Sequence, residues 1–290
     1  MSAGAEVVAV GLGLPEGPFV HGDGRVSFTE QARGRISMWD NGSWDVLAVT
    51  GGGPNSHVVG NDGCLYVAQN GGAVGAWRSS DPRTPGIWRV NPDGTSTPVA
   101  QEVGGTALAA PNDLVFGPDG ALWFTDPAHP FDPVARGTAG RLARLFPGGG
   151  ETVLDVGSVY CNGLAFDAAG LIWVESYDRH VCRLSADGAR EVVCQLPAGH
   201  VPDGLAIASD GRLFIATCGS HGITVLAPDG SVLDHLWLDE RAVPTNCAFA
   251  ADGALWVTDF GIDGETVDGA GRLWRVPTDA IGLPVLEGTL

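Results

Sequence analysis

Six side chains that carry an oxygen donor recur at one position of a repeated pattern in this chain. Each lies eight residues before a hairpin glycine, and five of those six glycines follow an aspartate. The six side chains are those of Glu16, Asn55, Asn112, Asn162, Asp203 and Thr245. Proline precedes five of them, so turn chemistry would explain any one residue alone. Six donors at one repeat position, including a glutamate, instead indicate a shared function.

Carboxylates and carboxamides, without cysteine or histidine, are the ligands that hard cations prefer. Glu16 and Asp203 would neutralise the two charges of a divalent ion, and Asn162 and Asn112 would add neutral carbonyl oxygens. Four protein ligands leave positions for water or substrate, as a catalytic metal requires. We therefore expect one divalent metal ion, calcium first, with zinc, magnesium or manganese as alternatives. A purely structural ion in a channel is the competing interpretation.

The repeated pattern predicts the elements that would hold these donors. Segments starting at residues 14, 53, 110, 160, 201 and 243 each read as a turn, an apolar strand, a hairpin and a second apolar strand. A third strand and a more polar fourth run follow, which is typical of a propeller blade. Residues 1–290 are thus predicted to form one all-β domain, a six-bladed β-propeller. Rotation about its axis would bring the six donors to one mouth of the central channel, which would contain the metal site.

The ends of the chain and its longer repeats add detail to this prediction. Residues 6–10 are expected to close the ring by pairing into the last blade, after residues 271–276. Insertions near residues 71–85 and 127–140 are expected to form loops over one face. His129 opens the second insertion and is predicted to contact substrate. His57, His200 and His221 lie in other segments near the mouth, and their sequence context assigns them no role.

Charge and composition exclude several classes of partner. The formal net charge is −18, which disfavours binding to nucleic acids and to anionic lipid surfaces because their phosphates attract Lys and Arg. Residues 1–10 lack a basic region followed by a long apolar stretch, and no apolar run is long enough to span a membrane. The six cysteines contain no C-x-x-C pair and are expected to be free. A cytoplasmic protein with a small-molecule substrate is expected, of undetermined oligomeric state.

Four motifs resemble those of the SMP-30/gluconolactonase/luciferin-regenerating enzyme-like family. They are LPEGP around Glu16, PND at 111–113, NGLAFD at 162–167 and PDGLAIASDG at 202–211. The resemblance implies a six-bladed propeller with one catalytic divalent metal. It implies that Glu16, Asn162 and Asp203 are direct metal ligands and that Asn112 is a ligand or contacts metal-bound substrate. It also implies that Asp203 is the general base.

The resulting hypothesis is a metal-dependent hydrolase of a small, gluconolactonase-like lactone. The metal would polarise the carbonyl, Asp203 or metal-bound water would act as base, and Asn112, Asn55 and His129 would contact the substrate. One departure is Ala110, where sugar-lactone members of the family often carry arginine. The alternatives are phosphoester hydrolysis, a lyase or isomerase step at the same metal site, and a non-catalytic binding propeller. No G-x-S-x-G motif supports a serine nucleophile.

Overall fold

A computed structural model of the protein describes residues 4–132, 134, 136–261 and 268–290. Within these ranges the chain forms six four-stranded antiparallel sheets around a central channel, which confirms the six-bladed propeller. Helical structure in the described part is limited to two 3₁₀ turns, Gln31–Arg33 and Cys218–Ser220. Neither of these short turns could cross a membrane, and the described residues contain no longer helix that could. All six cysteines are free, as expected.

The strands of each blade follow one another from the channel outward, except that the outermost strand of blade 6 comes from the N-terminal part of the chain. Blade 1 consists of Pro15–Val20, Val26–Glu30, Arg35–Asp40 and Ser43–Val49. Blade 2 consists of Pro54–Val59, Leu65–Gln69, Gly86–Val90 and Ser96–Ala100. Blade 3 consists of Leu114–Phe116, Leu122–Asp126, Gly140–Phe146 and Gly149–Gly157. Blade 4 consists of Cys161–Asp167, Gly170–Glu175, His180–Leu184 and Arg190–Gln195. Blade 5 consists of Pro202–Ile207, Leu213–Thr217, Gly222–Leu226 and Val232–Trp237. Blade 6 consists of Pro244–Phe249, Leu255–Asp259, Gly271–Val276 and Glu6–Leu12.

Burial across each blade explains the apolar pattern of the repeats. The second strands are covered on both faces by the neighbouring blades, so they read as continuous apolar runs, and Phe28 and Trp173 on two of them are fully buried. The outermost strands are largely exposed, as in Ser43–Val49, where Ala48 is the buried residue. Large side chains such as Trp274 fill the space between blades 5 and 6, where Trp274 packs in one cluster with Phe214. The core is therefore divided into clusters between successive blades.

The ring is closed by a strand from the N-terminal part of the chain. Glu6–Leu12 pairs antiparallel with Gly271–Val276 in the last blade, as predicted for residues 6–10, and extends two residues further. Leu12 at the end of this strand is fully buried in a cluster that includes Phe28 of blade 1 and Leu273 of blade 6. This pairing joins the two ends of the propeller without a covalent bond.

Both predicted insertions lie over the same face. The first contains the hairpin Ala73–Val74 and Trp77–Arg78, and the second begins after Asp126. Trp77 and Phe131, one from each insertion, line a single pocket. A further hairpin that the sequence did not indicate, Glu102–Val103 with Thr106–Ala107, connects blades 2 and 3.

The last residues of the chain, 282–290, cross the opposite mouth of the channel. The Leu283 N–H donates to the carbonyl of Ile207 in blade 5 at 2.9 Å, and the carbonyl of Gly288 accepts from Asn61 N–H in blade 2 at 3.0 Å. Leu283 and Leu286 also line the cavity at this mouth. The C-terminal segment thus spans the end of the channel that lies away from the insertions.

A buried acid ends the second strand in four blades and pairs with an arginine on the third strand or, in blade 4, on the fourth. The carboxyl–arginine pairs are Glu30–Arg35, Asp126–Arg141, Glu175–Arg190 and Asp259–Arg272. We call these four carboxylates the latch acids. Glu30, Asp126 and Asp259 also accept an N–H from the loop that precedes the first strand of their own blade, and Gln69 makes the same loop contact in blade 2, to Gly53 N at 2.6 Å. In blades 1, 2, 3 and 6 this contact holds the loop at the entrance of the first strand, and sequence analysis did not identify it.

The latch acid of blade 6, Asp259, connects two loops with the third strand. The Asp259 carboxylate accepts from Val243 N at 2.7 Å, from Gly261 N at 2.7 Å and from Trp274 Nε1 at 2.7 Å, besides its ion pair with Arg272 at 2.8 Å. Asp259 is fully buried. Its removal would leave buried N–H donors without their acceptor and take one of two carboxylate partners from the Arg272 guanidinium, which also pairs with Asp239; such losses are costly in a protein interior.

Replacement of Asp259 is therefore expected to destabilise the protein strongly. Asp259→Ala should lower the free energy of unfolding by about 3–5 kcal/mol, the usual loss when one partner of a buried ion pair is removed. Denaturant unfolding followed by tryptophan fluorescence measures this difference. The matched control is Asp252→Ala in the same blade, whose carboxylate is 59% exposed where it pairs with Arg275; it should cost about 1 kcal/mol or less. Equal losses in the two variants would contradict the assigned role.

Candidate active site

The six oxygen donors predicted from the repeat meet in one pocket. Its volume is about 360 Å³, within the range of small-molecule sites. The donors that line it are Glu16, Asn55, Asn112, Asn162, Asp203 and Thr245, and we call this set the donor ring. All of them are buried except Asp203, which is half-buried. The ring forms because each donor lies at or just before the start of the first strand in its blade, and these strands surround the channel.

Both acids of the donor ring have a raised pKa. The pKa of Glu16 is raised well above its usual value, first by burial and then by the negative charges of Asp203 and Asp113. The pKa of Asp203 is also raised, by burial and by the charge of Asp113, while a hydrogen bond with Asn162 opposes the shift. The described residues that line the pocket include no Lys, Arg or His. The pocket therefore concentrates negative charge without a side-chain cation.

One oxygen atom of the donor ring has no hydrogen-bond partner in the protein. Asn55 Oδ1 is buried and makes no hydrogen bond, an arrangement that is uncommon and costly for a buried carbonyl oxygen. Other polar atoms around the pocket are already engaged. Thr245 Oγ1 donates to the carbonyl of Pro15 at 3.0 Å, and Ser176 Oγ donates to the carbonyl of Pro202 at 2.7 Å.

A second polar layer lies one residue deeper in the channel. Asp113 and Asn246 directly follow Asn112 and Thr245, and Asn246 Nδ2 donates to Asp113 Oδ2 at 3.0 Å. Burial raises the pKa of Asp113, and hydrogen bonds from Ser56 and Asn246 oppose the rise. A hydrogen bond between Asn246 and Glu16 connects this layer to the donor ring. Sequence analysis missed Asp113 and Asn246, although a charged or amide residue in an otherwise apolar inner strand was a usable signal.

Glycine makes room for this second layer in the neighbouring blades. A Cβ added at Gly204 would lie 2.0 Å from Cγ and Oδ1 of Asn246, so no larger residue fits while Asn246 is in place. At Gly163 an added Cβ would lie 2.6 Å from the backbone oxygen of Asp203 and 2.7 Å from Cα of Gly204. The inner strands of blades 4 and 5 therefore approach one another more closely than side chains would allow.

Above the donor ring the channel wall is apolar. The residue two positions before a donor lies in the loop that leads into the first strand of its blade. Four of these residues line the pocket, and we call them the apolar collar: Leu14, Tyr160, Val201 and Val243. Tyr160 adds a polar tip, since its hydroxyl hydrogen-bonds with the Asn112 side chain. Burial and the charge of Asp203 raise the pKa of that hydroxyl.

The two insertions extend this apolar wall. Val74 and Trp77 line the pocket from the first insertion and Phe131 from the second. Phe131 packs edge-to-face on Tyr160, with ring centroids 5.1 Å apart, and lies 5.2 Å from the ring of Tyr177. Aromatic groups packed against each other in this way form a firm surface.

His129 lies beside this aromatic wall and outside the pocket lining. Its Nε2 is 3.0 Å from the Tyr177 hydroxyl, and its ring packs edge-to-face on Tyr160 at 5.6 Å. Of the predicted substrate contacts, the structure therefore brings Asn55 and Asn112 into the pocket and places His129 next to its wall. His129 can affect a ligand through Tyr160.

The other three histidines that the sequence analysis named, His57, His200 and His221, also lie outside the pocket lining. His57 is buried at the opposite end of the channel, where its Nε2 is 2.6 Å from Ser27 Oγ. His200 Nδ1 is 2.8 Å from Thr224 Oγ1, and His221 Nδ1 is 2.7 Å from a backbone carbonyl. Their hydrogen bonds are internal to the propeller.

The comparison with sequence families gives the family of the chain. The profile of the SMP-30/gluconolactonase/LRE-like region matches residues 14–260, which include all six donors. The chain belongs to this family. The match begins at the first residue of the apolar collar and ends in blade 6, so it covers most of the propeller of this SMP-30/gluconolactonase-like protein.

Individual relatives extend the comparison. The gluconolactonase of Zymomonas mobilis is 28% identical over 255 residues, which cover 79% of this chain and 64% of the relative. Among solved structures, a gluconolactonase of Xanthomonas campestris superposes with a TM-score of 0.75 at 24% identity, covering 94% of this chain and 89% of that one. The calcium-binding protein regucalcin of Agrobacterium tumefaciens superposes with a TM-score of 0.77 at 17% identity, covering 100% and 98%. These similarities in structure show the same fold.

The close approach of the inner strands in this SMP-30/gluconolactonase-like chain can be tested at Gly163. Gly163→Ala should destabilise the protein by about 1–3 kcal/mol, because its Cβ would meet backbone atoms that cannot move independently. Gly22→Ala is the matched control: no atom lies within 4 Å of its added Cβ, so its effect should stay within about 0.5 kcal/mol. Thermal unfolding of both variants provides the measurement. An unchanged melting temperature in Gly163→Ala would show that the strands are not in tight contact.

Proposed function

We propose that this protein is a metal-dependent hydrolase that opens a small lactone. One divalent ion, calcium in the first instance, would be held by Glu16, Asn112, Asn162 and Asp203. The observation that carries the proposal is the donor ring itself, in which two acids with raised pKa share a pocket whose described lining offers no cationic side chain. A bound cation would favour the charged form of both acids and offset the cost of their burial.

The chemistry of the donors fits a hard cation. In the described part of the chain, no three residues among His, Cys, Asp and Glu are grouped as metal ligands, so the carboxamides of Asn112 and Asn162 are needed to complete the set. An all-oxygen set of carboxylates and carbonyls is suited to calcium, whereas zinc favours nitrogen and sulfur ligands. The unpartnered oxygen of Asn55 supplies a further acceptor in the same pocket.

The proposed reaction cleaves the ester bond of the lactone ring. A bound divalent ion supplies electrostatic stabilisation of the negative charge that develops on the carbonyl oxygen. Asp203 accepts a proton from the attacking water as the water oxygen bonds to the carbonyl carbon. The bond between the carbonyl carbon and the ring oxygen then breaks, and the ring oxygen takes up a proton. The product is an open-chain hydroxy acid, so each turnover forms one carboxylic acid group.

The remaining polar groups would orient the substrate. Asn112 is hydrogen-bonded to Tyr160, which fixes the direction of its amide, and Asn55 presents a free acceptor to a substrate hydroxyl. His129 would act indirectly, by supporting Tyr160 and Tyr177. The name of the Zymomonas relative supports lactone chemistry, and the calcium-binding description of the Agrobacterium regucalcin supports the choice of ion.

Loss of the proposed base should abolish turnover without unfolding the protein. Asp203→Ala is expected to reduce kcat/KM for lactones by at least ~100-fold, the usual contribution of a positioned general base, because both the base and a metal ligand are lost. Proton release during lactone hydrolysis at saturating calcium measures the rate, and circular dichroism reports the fold. Asp229→Asn, an exposed acid in the same blade that hydrogen-bonds Ser231, is the control and should keep full activity.

The outcome also separates the proposed reaction from its alternatives. Near-normal activity of Asp203→Ala would refute the mechanism. Hydrolysis of a phosphoester, or a lyase or isomerase reaction with the same dependence on Asp203, would retain the site and replace the substrate. Absence of every such activity would favour a non-catalytic binding propeller.

Calcium should stabilise the protein through Glu16 and Asp203. At a hundredfold excess over Kd, binding contributes about 2.7 kcal/mol, which corresponds to a rise in Tm of roughly 5 °C or more for a domain of this size. Differential scanning calorimetry with calcium and with chelator should show this shift in the wild type. Glu16→Gln and Asp203→Asn should lose most of it, whereas Glu102→Gln, a change at an exposed site, should keep it. The same shift in all variants would place the ion elsewhere.

A further inference from the structure

The wall of the active-site pocket differs in character from the donor ring beneath it. The described residues that line the pocket above the ring are almost all apolar, and they come from four sources in the chain: Leu14, Tyr160, Val201 and Val243 of the collar; Val74 and Trp77 of the first insertion; Phe131 of the second; and Phe260 of blade 6. A substrate whose ester group reaches the donor ring must place the rest of its atoms against this wall.

Few hydrogen-bonding groups are available to such a substrate. The Gln31 side-chain oxygen already accepts from Asn70 at 2.8 Å. Ser176 and Thr245 donate to backbone carbonyls, and the Tyr160 hydroxyl is hydrogen-bonded to Asn112. Among the described residues of the lining, Asn55 Oδ1 is the buried side-chain polar atom that lacks a partner. A polyol would therefore bury several hydroxyls without partners, at a cost for each one.

Apolar substituents would gain from the same surface. Each buried methylene contributes about 0.8 kcal/mol, and an aromatic ring gains further from edge-to-face contact with neighbouring rings. Phe131 and Tyr160 already pack in this geometry, with centroids 5.1 Å apart. Tyr177 supports Phe131 from behind and is itself covered by the Arg136 guanidinium, 5.3 Å from the ring centroid. The wall is therefore held in place before a ligand arrives.

We propose that the substrate is a lactone with an apolar alkyl or aryl substituent, recognised by the apolar collar together with Trp77 and Phe131, and that polyhydroxylated sugar lactones are poor substrates. This inference rests on the proposed lactonase function and names its substrate class. Val201 and Val243 exclude hydroxyl groups at the level directly above the ring, and Trp77 and Phe131 receive the outer part of the substituent.

A series of lactones tests the substrate class. Unbranched δ-lactones with alkyl substituents of increasing length, one aryl-fused lactone and glucono-δ-lactone are compared by kcat/KM with calcium present. The value should rise about fourfold per added methylene until the pocket is full, the factor that corresponds to about 0.8 kcal/mol. Glucono-δ-lactone should be at least ~100-fold poorer than the best alkyl lactone. If kcat/KM rises more for the aryl member than for an alkyl member of equal carbon number, the Phe131–Tyr160 surface binds an aromatic ring.

Variants identify the residues responsible. Trp77→Ala should flatten the dependence of kcat/KM on chain length, because the outer wall is then missing. Phe146→Ala removes an aromatic group that is 43% exposed on blade 3 and should leave the dependence unchanged. The double variant Val201→Thr/Val243→Thr keeps the volume of the collar and adds two hydroxyls. It should reduce the difference in kcat/KM between the alkyl lactones and glucono-δ-lactone.

A binding experiment separates this inference from the proposed function. Calorimetric titration with lactams, which keep the ring shape but resist hydrolysis, should show Kd falling about fourfold per methylene in the wild type and a shallower dependence in Trp77→Ala. If lactams follow this pattern and no lactone is hydrolysed, the proposed reaction is wrong and the apolar specificity stands. If lactones are hydrolysed but glucono-δ-lactone matches or exceeds the alkyl series, the reaction stands and the inference is overturned. A Kd that does not vary with chain length also overturns it.

Discussion

A buried carboxylate at the end of the second strand is the interaction that positions the donors of blades 1, 3 and 6. Asp259 shows how it works: one side chain binds an arginine of the third strand, a tryptophan of the same strand, and backbone N–H groups of two loops. The loop before the first strand carries the collar residue and leads directly into the donor. Because the carboxylate fixes that loop to the most buried part of the sheet, the donor is aimed into the channel by rigid structure.

The acids that stabilise the blades and the acids that form the candidate site thus have different electrostatic surroundings. The latch acids face arginines, so their charge is compensated within the protein, as in the pairs of Glu30 and Glu175. Glu16 and Asp203 have no such partner among the described residues, and burial together with neighbouring negative charge raises the pKa of both. Comparable carboxylates therefore serve opposite purposes, and the difference lies in whether an arginine of the same blade pairs with them. Uncompensated charge of this kind is typical of functional sites.

The repeat made much of this structure predictable. Hairpin glycines and apolar alternation are local signals, so the blades, the closing strand and the position of the donors followed from the sequence. Asp113 and the latch acids were missed because each lies at the border of an apolar run, and local sequence does not show its partner on another strand. The collar was missed for a related reason: Leu14 and Val243 look like ordinary core residues, and only their position two residues before a donor places them on the pocket. His129 was judged by its proximity in sequence to an inserted loop, whereas ring packing with Tyr177 determines where it lies.

The closure of the ring has a consequence for how the protein is made. The strand Glu6–Leu12 leaves the ribosome early, but its partner Gly271–Val276 is synthesised only after the other blades, roughly 10 to 60 s later at ordinary rates of translation. During that interval the nascent chain holds an unpaired edge, and the two register irregularities within Glu6–Leu12 make this strand a poorer template for pairing with other chains. The seam between blades 6 and 1 also runs through the donor ring, where Thr245 donates to the carbonyl of Pro15 beside Glu16. Glu16, although translated well before blade 6, therefore gains its neighbour across the seam only when the propeller is complete, and a chain interrupted before the last blade has no finished site.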